Sequence, residues 1–309
     1  MDLKQDKIVT VEAKPKWEPL TKEERQLFHD QGYVVVKNAL NKDRLEEVNK
    51  VVDSVYEEEE AAGNLLANDW LHLQGAAVRN KTFTELLETD GTFRWIWGLL
   101  GWNIQTHHNH LDVNPPLGDR ETKQVWSWHQ DGWRQNSDAE TLEETHGYYM
   151  PRPQFSVKVA LVLSDMSVEG RGGTMFIPGS HLNNSLARQD PGGPQPEGAV
   201  QLTAEAGDAF LFDRRMWHDR SDNRSEITRK IFFMGFTHRW IRQLDPMPVD
   251  KNSDYWKSLT SVQKQLIGDG PNEADFWGIH EAGGINDKIP LRAKLIEHDL
   301  LDRSIPWLR

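Results

Sequence analysis

The sequence predicts a mainly β fold, two facing sheets with helices on the flanks. Three observations carry it. Short apolar stretches with a period of two recur along the chain, at 33–36, 104–113, 155–163, 174–177, 208–213 and 229–236. Gly and Pro turns punctuate them, as in Gly170-Arg171-Gly172-Gly173 and Pro178-Gly179-Ser180. Helical stretches do not alternate regularly with the strands, which argues against an α/β sheet.

Taken in order, Thr21 with Glu24 three residues later forms a capping box, and Leu20 before it can staple onto a helix carrying Leu27 and Phe28. Gly32 ends that helix, and Tyr33-Val34-Val35-Val36 follows as a β-branched strand. Asn41 caps a longer helix with Leu45, Val48, Val52 and Val55 on one face and Glu57 to Glu60 as its solvated end. Two short helices, 82–87 and 93–100, are separated by Asp90-Gly91. Strand 104–113 then places Thr106, His108, His110 and Asp112 on one face, with Gln105, His107, Asn109 and Leu111 on the other. This His-rich wall reads as satisfied polar groups or substrate contacts, with metal binding as the other reading.

From Gly132 to Pro153 periodicity is lost. A long loop in a compact domain is usually functional or disordered. Trp133, Arg134, Tyr148, Tyr149 and Arg152 make this one a candidate lid with substrate contacts; a surface excursion is the alternative. In strand 155–163 the apolar residues bury one face, and Lys158 falls on the other, where a cation inside a barrel can meet an anion. A helix over 255–266 and an amphipathic segment over 291–301 are expected to pack outside the sheets.

With 309 residues and no linker-like stretch, the expectation is one domain over 1–309, its core at about 20–240 and a helical extension at about 246–309. A formal charge of −12 argues against nucleic acid and anionic membrane as partners. There is no cysteine, so a metal must be held by His and carboxylates. No stretch approaches the length of a membrane span, and the polar start, Met1 to Lys16, lacks a signal-peptide core; a cytoplasmic protein is expected.

The chemistry centres on Trp126-Ser127-Trp128-His129-Gln130-Asp131-Gly132-Trp133. Side chains at i and i+2 of a strand leave on the same face, so His129 and Asp131 can converge on one divalent ion. A second His-x-Asp exists, His110-Leu111-Asp112. The first is favoured because Phe210 to Asp213 reads as a strand closely followed by His218, and the next strand opens with Arg229, eleven positions later. Two His and one carboxylate on one face of an ion leave the opposite face open, the arrangement of non-haem Fe(II) oxygenases. A guanidinium such as Arg229 suits the far end of a dicarboxylate.

In this order, His129-x-Asp131, the run Gly170 to His181, Ala206-Gly207-Asp208, and then His218, Ser221, Asn223, Ser225 and Arg229, the chain resembles the phytanoyl-CoA dioxygenase family of Fe(II)- and 2-oxoglutarate-dependent oxygenases. The resemblance implies a double-stranded β-helix, a cupin-like jelly roll. It implies Fe(II) on His129, Asp131 and His218, which would also be the catalytic residues, and 2-oxoglutarate held by Arg229, with Ser221 and Thr174 as further co-substrate contacts. It implies a small-molecule substrate and O2, and hydroxylation over halogenation, because Asp131 leaves no place for halide. Desaturation, cyclisation and epoxidation start from the same chemistry and stay open. One departure is Arg220, where many members carry a small hydroxyl residue; it can orient Asp213 or Asp219, or face the substrate. Two rival classes remain at this stage, a Zn(II) hydrolase using the same ligands and a non-catalytic β-barrel binding module with Trp126, Trp128, Trp133 and Trp217 as a platform.

Overall fold

A computed structural model describes residues 8–121, 128–131, 153–183, 195–270 and 289–301. In chain order the main elements are β1 (Thr10–Glu12), α1 (Lys22–Gln31), β2 (Tyr33–Lys37), α2 (Lys42–Ala61), β3 (Leu71–Gln74), α3 (Lys81–Glu85), α4 (Phe93–Leu100) and β4 (Ile104–Asn114). There follow β5 (Ser156–Val162), β6 (Thr174–Phe176), β7 (Val200–Gln201), β8 (Ala209–Asp213), β9 (His218–Arg220), β10 (Arg229–His238), α5 (Asp254–Ser258), α6 (Ser261–Leu266) and α7 (Pro290–Glu297). The strands form a seven-stranded sheet, ordered β1-β2-β8-β5-β10-β4-β3, and a three-stranded sheet, ordered β7-β6-β9. Apart from the parallel pair of β1 and β2, the strand pairs are antiparallel. This is the sheet-rich, jelly-roll arrangement the sequence predicts.

The large sheet is covered on both faces, and the alternation of its side chains shows how. Val34, Val36, Val157, Val159, Leu161, Leu211, Phe232 and Met234 join one core with Val48, Val52, Trp95 and Leu266 from the helices. Their neighbours Tyr33, Val35, Ala160, Val162, Phe210, Phe212, Ile231 and Phe233 join a second core with Phe176 of the small sheet. A strand buried on both faces reads as a continuous apolar run, which explains Tyr33 to Val36. Each fully buried large side chain of this kind contributes roughly 1.5–3 kcal/mol relative to exposure. The inner face, between the sheets, also carries Lys158, because it lies between Val157 and Val159 on β5.

Local details follow the sequence closely at the start. Thr21 and Glu24 make the reciprocal capping box, and Gly32 closes α1 in the left-handed region with φ 77°. Three expectations need correction. Glu59 is not on a solvated helix end: it is buried, accepts a hydrogen bond from Asn64 and pairs with Arg79 at 3.0 Å. The helix expected over 255–266 is two helices, because Leu259 is extended and Thr260 starts a new capping box with Gln263. The face assignment on β4 holds only as far back as His108. A β-bulge sits opposite Gly235 and Phe236, so Gly235 pairs with His108 and Phe236 with Thr106. The extra residue is His107; it turns toward Arg214, and Thr106 leaves the face of His108, His110 and Asp112.

The C-terminal helices dock on the start of β4. Gln265 Nε2 donates to Trp102 and Ile104 carbonyls at 2.9 and 3.0 Å, and its Oε1 accepts from Leu291 N at 2.8 Å. No helix among the described residues is long and apolar enough to cross a membrane.

Candidate metal and co-substrate site

The stretch carrying His129 and Asp131 is held by backbone pairing to the small sheet and to the turn after β8. His129 N donates to His218 O at 3.0 Å, His218 N donates to His129 O at 2.9 Å, and Asp131 N donates to Arg214 O at 3.0 Å. This brings the three expected ligands together: one ligand atom from each of His129, Asp131 and His218 lies within 4.8 Å of the others. His218 Nδ1 donates to Met216 O at 2.9 Å, which leaves Nε2 as a lone pair directed at the site, 3.8 Å from Asp131 Oδ1. Burial, with His129 adding to it, pushes the His218 imidazole down to a pKa of about 3, so it is neutral at ordinary pH as a metal ligand must be.

Asp131 is split between two tasks. Its Oδ2 receives both Lys158 Nζ and Arg214 Nε at 3.1 Å, while Oδ1 faces His218. Burial alone would raise this carboxyl; Lys158 and then Arg214 outweigh it and hold Asp131 well below the usual carboxylate range. The Lys158 ammonium is buried, with Nζ 4.9 Å from the Phe233 ring centre. Neither cation was assigned to Asp131 from sequence. Lys158 showed only as a charge in an apolar alternation, and Arg214 gave no signal beyond following a strand.

Arg229 opens β10 and is almost completely buried. Its Nη1 donates to Asn114 Oδ1 at 2.7 Å and stands 3.7 Å from Asp112 Oδ2. Burial lowers its pKa to about 10, with Asp112 opposing, so it remains a cation. Gly172, at φ 73°, makes room for it: a Cβ there would meet Arg229 Cδ at 2.6 Å. The glycine-rich turn before β6 is thereby tied to the arginine. Arg229, Thr174 and the His–Asp–His group line one cavity of about 470 Å³.

Residues 28–231 match the family described as Phytanoyl-CoA dioxygenase (PhyH). The chain belongs to this family. Its cofactors are accordingly Fe(II) and 2-oxoglutarate, and it is a non-haem iron oxygenase of the 2-oxoglutarate-dependent kind. It is 25% identical over 180 residues to an ectoine dioxygenase of Streptomyces coelicolor, across 51% of this chain and 55% of that protein. To an ectoine dioxygenase of Nocardia farcinica it is 23% identical over 249 residues, across 71% of this chain and 78% of that protein. The chain thus spans about half of the first relative and over three quarters of the second. Among solved structures, the apo form of EctD from S. alaskensis superposes with a TM-score of 0.55 at 19% identity, covering 77% of this chain and 88% of that one. The α-ketoglutarate-dependent carbocyclase SnoK from nogalamycin biosynthesis gives 0.52 at 19% identity, covering 72% and 86%. These two similarities concern the fold.

The residues present fit the family's two cofactors. A neutral imidazole, a charged carboxylate and a second imidazole are a donor set for a divalent ion. Arg229 Nε and Thr174 Oγ1 are buried polar atoms with no hydrogen-bond partner among the described residues, and both residues line the cavity that a dicarboxylate would enter. Ser221 donates to Gly173 O at 3.2 Å and lines an adjoining pocket with Arg229. Arg220 lays its guanidinium 4.3 Å from the Trp70 ring centre, at the cavity wall; Asp213 is bound instead by Arg215 and Gln154. Trp128 donates from Nε1 to Gln195 at 2.8 Å on the surface. Trp126, Trp133, Arg134, Tyr148, Tyr149 and Arg152 lie outside the described residues.

Proposed function

We propose that this oxygenase hydroxylates an unactivated C–H bond of a small organic molecule, converting O2 and 2-oxoglutarate to succinate and CO2 as one oxygen atom enters the product. His129, Asp131 and His218 hold Fe(II); Arg229 binds the far carboxylate of 2-oxoglutarate, with Thr174 and Ser221 beside it. The observation that supports this reading is the single cavity shared by the His–Asp–His group and a buried arginine with an unpaired Nε. The bound iron and its co-substrate supply the oxidising power for C–H cleavage.

The chain's own residues do the positioning. Met216 O fixes the His218 tautomer, and Lys158 and Arg214 occupy Asp131 Oδ2 so that Oδ1 is the oxygen offered to the ion. Arg229 stays charged in a buried place, where a two-pronged contact to a carboxylate is worth more than in water. Phe233 gives the cavity an apolar wall beside the Lys158–Asp131 pair. Trp133, Arg134, Tyr148, Tyr149 and Arg152 are the residues that the sequence offers for substrate contact. We place the enzyme in the cytoplasm as one domain over 1–309, without nucleic acid or membrane partners, in keeping with its acidic charge.

The test is an aerobic assay of purified protein with Fe(II), 2-oxoglutarate and a panel of small molecules. Succinate release matched by a product one oxygen atom heavier supports hydroxylation. A product lacking two hydrogens, or turnover with Zn(II) and no succinate, overturns it.

A further inference from the structure

A second group of side chains in the same cavity is not used by the proposed reaction. His72 on β3 and His110 and Asp112 on β4 each offer a ligand atom within 4.8 Å of the other two. The pairing of β3 with β4 sets this up, with His72 opposite Asp112. The rings of His72 and His110 stand 4.7 Å apart.

Hydrogen bonds fix which nitrogens carry protons. Asp245 Oδ1 accepts from His108 Nδ1 at 2.8 Å, and Asp245 Oδ2 accepts from the backbone N–H of Asn109 at 2.6 Å. His108 therefore carries its proton on Nδ1, and its Nε2 is a lone pair. That lone pair lies 3.2 Å from His110 Nδ1, which must be the donor. His110 Nε2 is then a lone pair too, and it faces Asp112 Oδ2, another acceptor, at 3.8 Å. The opposite assignment would set a lone pair of His108 against the Asp245 carboxylate. Burial favours the neutral form of both His108 and His110. Asp112 keeps its charge, and its other oxygen accepts from His72 Nδ1 at 2.7 Å.

Two acceptors aimed at each other are held together by something positive between them. Arg229 Nη1, which donates to Asn114 Oδ1, forms an ion pair with Asp112 Oδ2 at 3.7 Å and so meets part of that carboxylate's charge, but among the described residues His110 Nε2 receives no hydrogen bond and keeps its lone pair open. A His ligand whose other ring nitrogen donates to a fixed acceptor is the usual support of a metal site, and the Asp245–His108–His110 chain provides it. Ligand atoms about 2.1 Å from a first-row ion stand roughly 3.0–3.5 Å from each other, so His110 Nε2 and Asp112 Oδ2 need to close by a few tenths of an ångström and the His72 ring, within 4.8 Å of both, has to swing in by up to about 1.3 Å. We propose that His72, His110 and Asp112 form a second divalent-cation site, separate from the His129–Asp131–His218 centre and suited to an ion that takes nitrogen and oxygen ligands, such as Zn(II) or Co(II).

The experiment is Co(II) titration of the metal-depleted full chain, with bound metal measured by equilibrium dialysis and the visible spectrum recorded at each addition. Wild type binds two equivalents. His129→Ala binds one, and so does His110→Ala, with different residual spectra because different sites remain. Asp112→Asn keeps the shape and the acceptor for His72 but loses the charge, and it also drops to one equivalent; it serves if the His110 variant misfolds. The double variant His129→Ala/Asp112→Asn binds none. A single equivalent in wild type, or two in folded Asp112→Asn, overturns the second site. If only the His129 variant loses metal, the His72–His110–Asp112 wall serves a hydrogen-bond-donating ligand and the proposal fails. Loss of the second equivalent alone leaves the reading of the His129 centre untouched.

Discussion

Lys158 Nζ lies 3.1 Å from Asp131 Oδ2, an ammonium on one strand of the large sheet buried against a carboxylate on the stretch bridged to the small sheet. Removing one partner of a buried pair strands the other charge, at a cost of about 3–5 kcal/mol. Here Arg214 remains, and a bound divalent ion would supply further positive charge. Lys158→Met is therefore expected to lower the stability of the metal-free protein by about 3 kcal/mol and that of the metal-loaded protein by less. By linkage the variant binds Co(II) more tightly, by roughly tenfold for a difference of about 1.4 kcal/mol. Urea denaturation with and without Co(II) checks this; equal destabilisation in both states contradicts it.

Arg229→Lys keeps a charge and loses the planar fork. The affinity for 2-oxoglutarate is expected to fall by roughly tenfold or more, while metal binding persists. Calorimetric titration of 2-oxoglutarate into the metal-loaded variant, kept free of oxygen, reads the change. An unchanged affinity would assign the far carboxylate to another cation, with Arg220 the first candidate on the cavity wall.

Gly172→Ala disturbs the same contact from behind. The new Cβ would stand 2.6 Å from Arg229 Cδ on a backbone at φ 73°, so the arginine or the turn must shift. We expect a stability loss of about 1–2 kcal/mol and weaker 2-oxoglutarate binding, although residue 172 contributes no polar side chain. A variant that loses stability but binds 2-oxoglutarate as tightly as wild type would contradict the link between the glycine turn and Arg229.

Acid should unfold the metal-free protein early. Burial lowers the pKa of His107, His108, His110 and His218, that of His218 to about 3. Above the unfolded value of about 6.5 these rings are neutral in both states and pH has no effect through them. As pH falls from about 6.5 toward 3, the unfolded chain binds protons that the folded chain refuses, so stability is lost. Each such ring contributes up to about 1.4 kcal/mol per pH unit, and a drop of at least about 3 kcal/mol between pH 7 and pH 5 is expected. Urea midpoints at the two pH values measure it; a flat profile would mean that these rings are protonated in the fold.

The sheet, the capping box at Thr21 and the ordered trio of His129, Asp131 and His218 were legible because they depend on local periodicity and on spacing along the chain. The bulge at His107 was not. An extra residue is defined only by pairing with Gly235 and Phe236, more than a hundred positions away, and it shifts the face assignment of one strand end. Lys158 could be placed on the inner face by counting, but not opposite Asp131, since that contact depends on how the stretch from 128 to 131 docks. Arg214 sits in a turn with no periodicity to read. The break before α6 was present in the sequence as Thr260-x-x-Gln263, where the capping signal prevails over a helical reading of the whole segment. Glu59 shows the reverse case, an acidic run with one member buried because Arg79 and Asn64 come to meet it.

The most direct test of the iron centre is succinate production from 2-oxoglutarate as a function of added Fe(II), for wild type and for His218→Ala and Asp131→Ala, each first shown to be folded by circular dichroism. Wild type is expected to require Fe(II), and both variants to lose at least roughly a hundredfold of that turnover, or about 2.7 kcal/mol of stabilisation. Fe(II)-dependent succinate release at the wild-type rate in either folded variant would contradict the assignment of His129, Asp131 and His218 as the iron site.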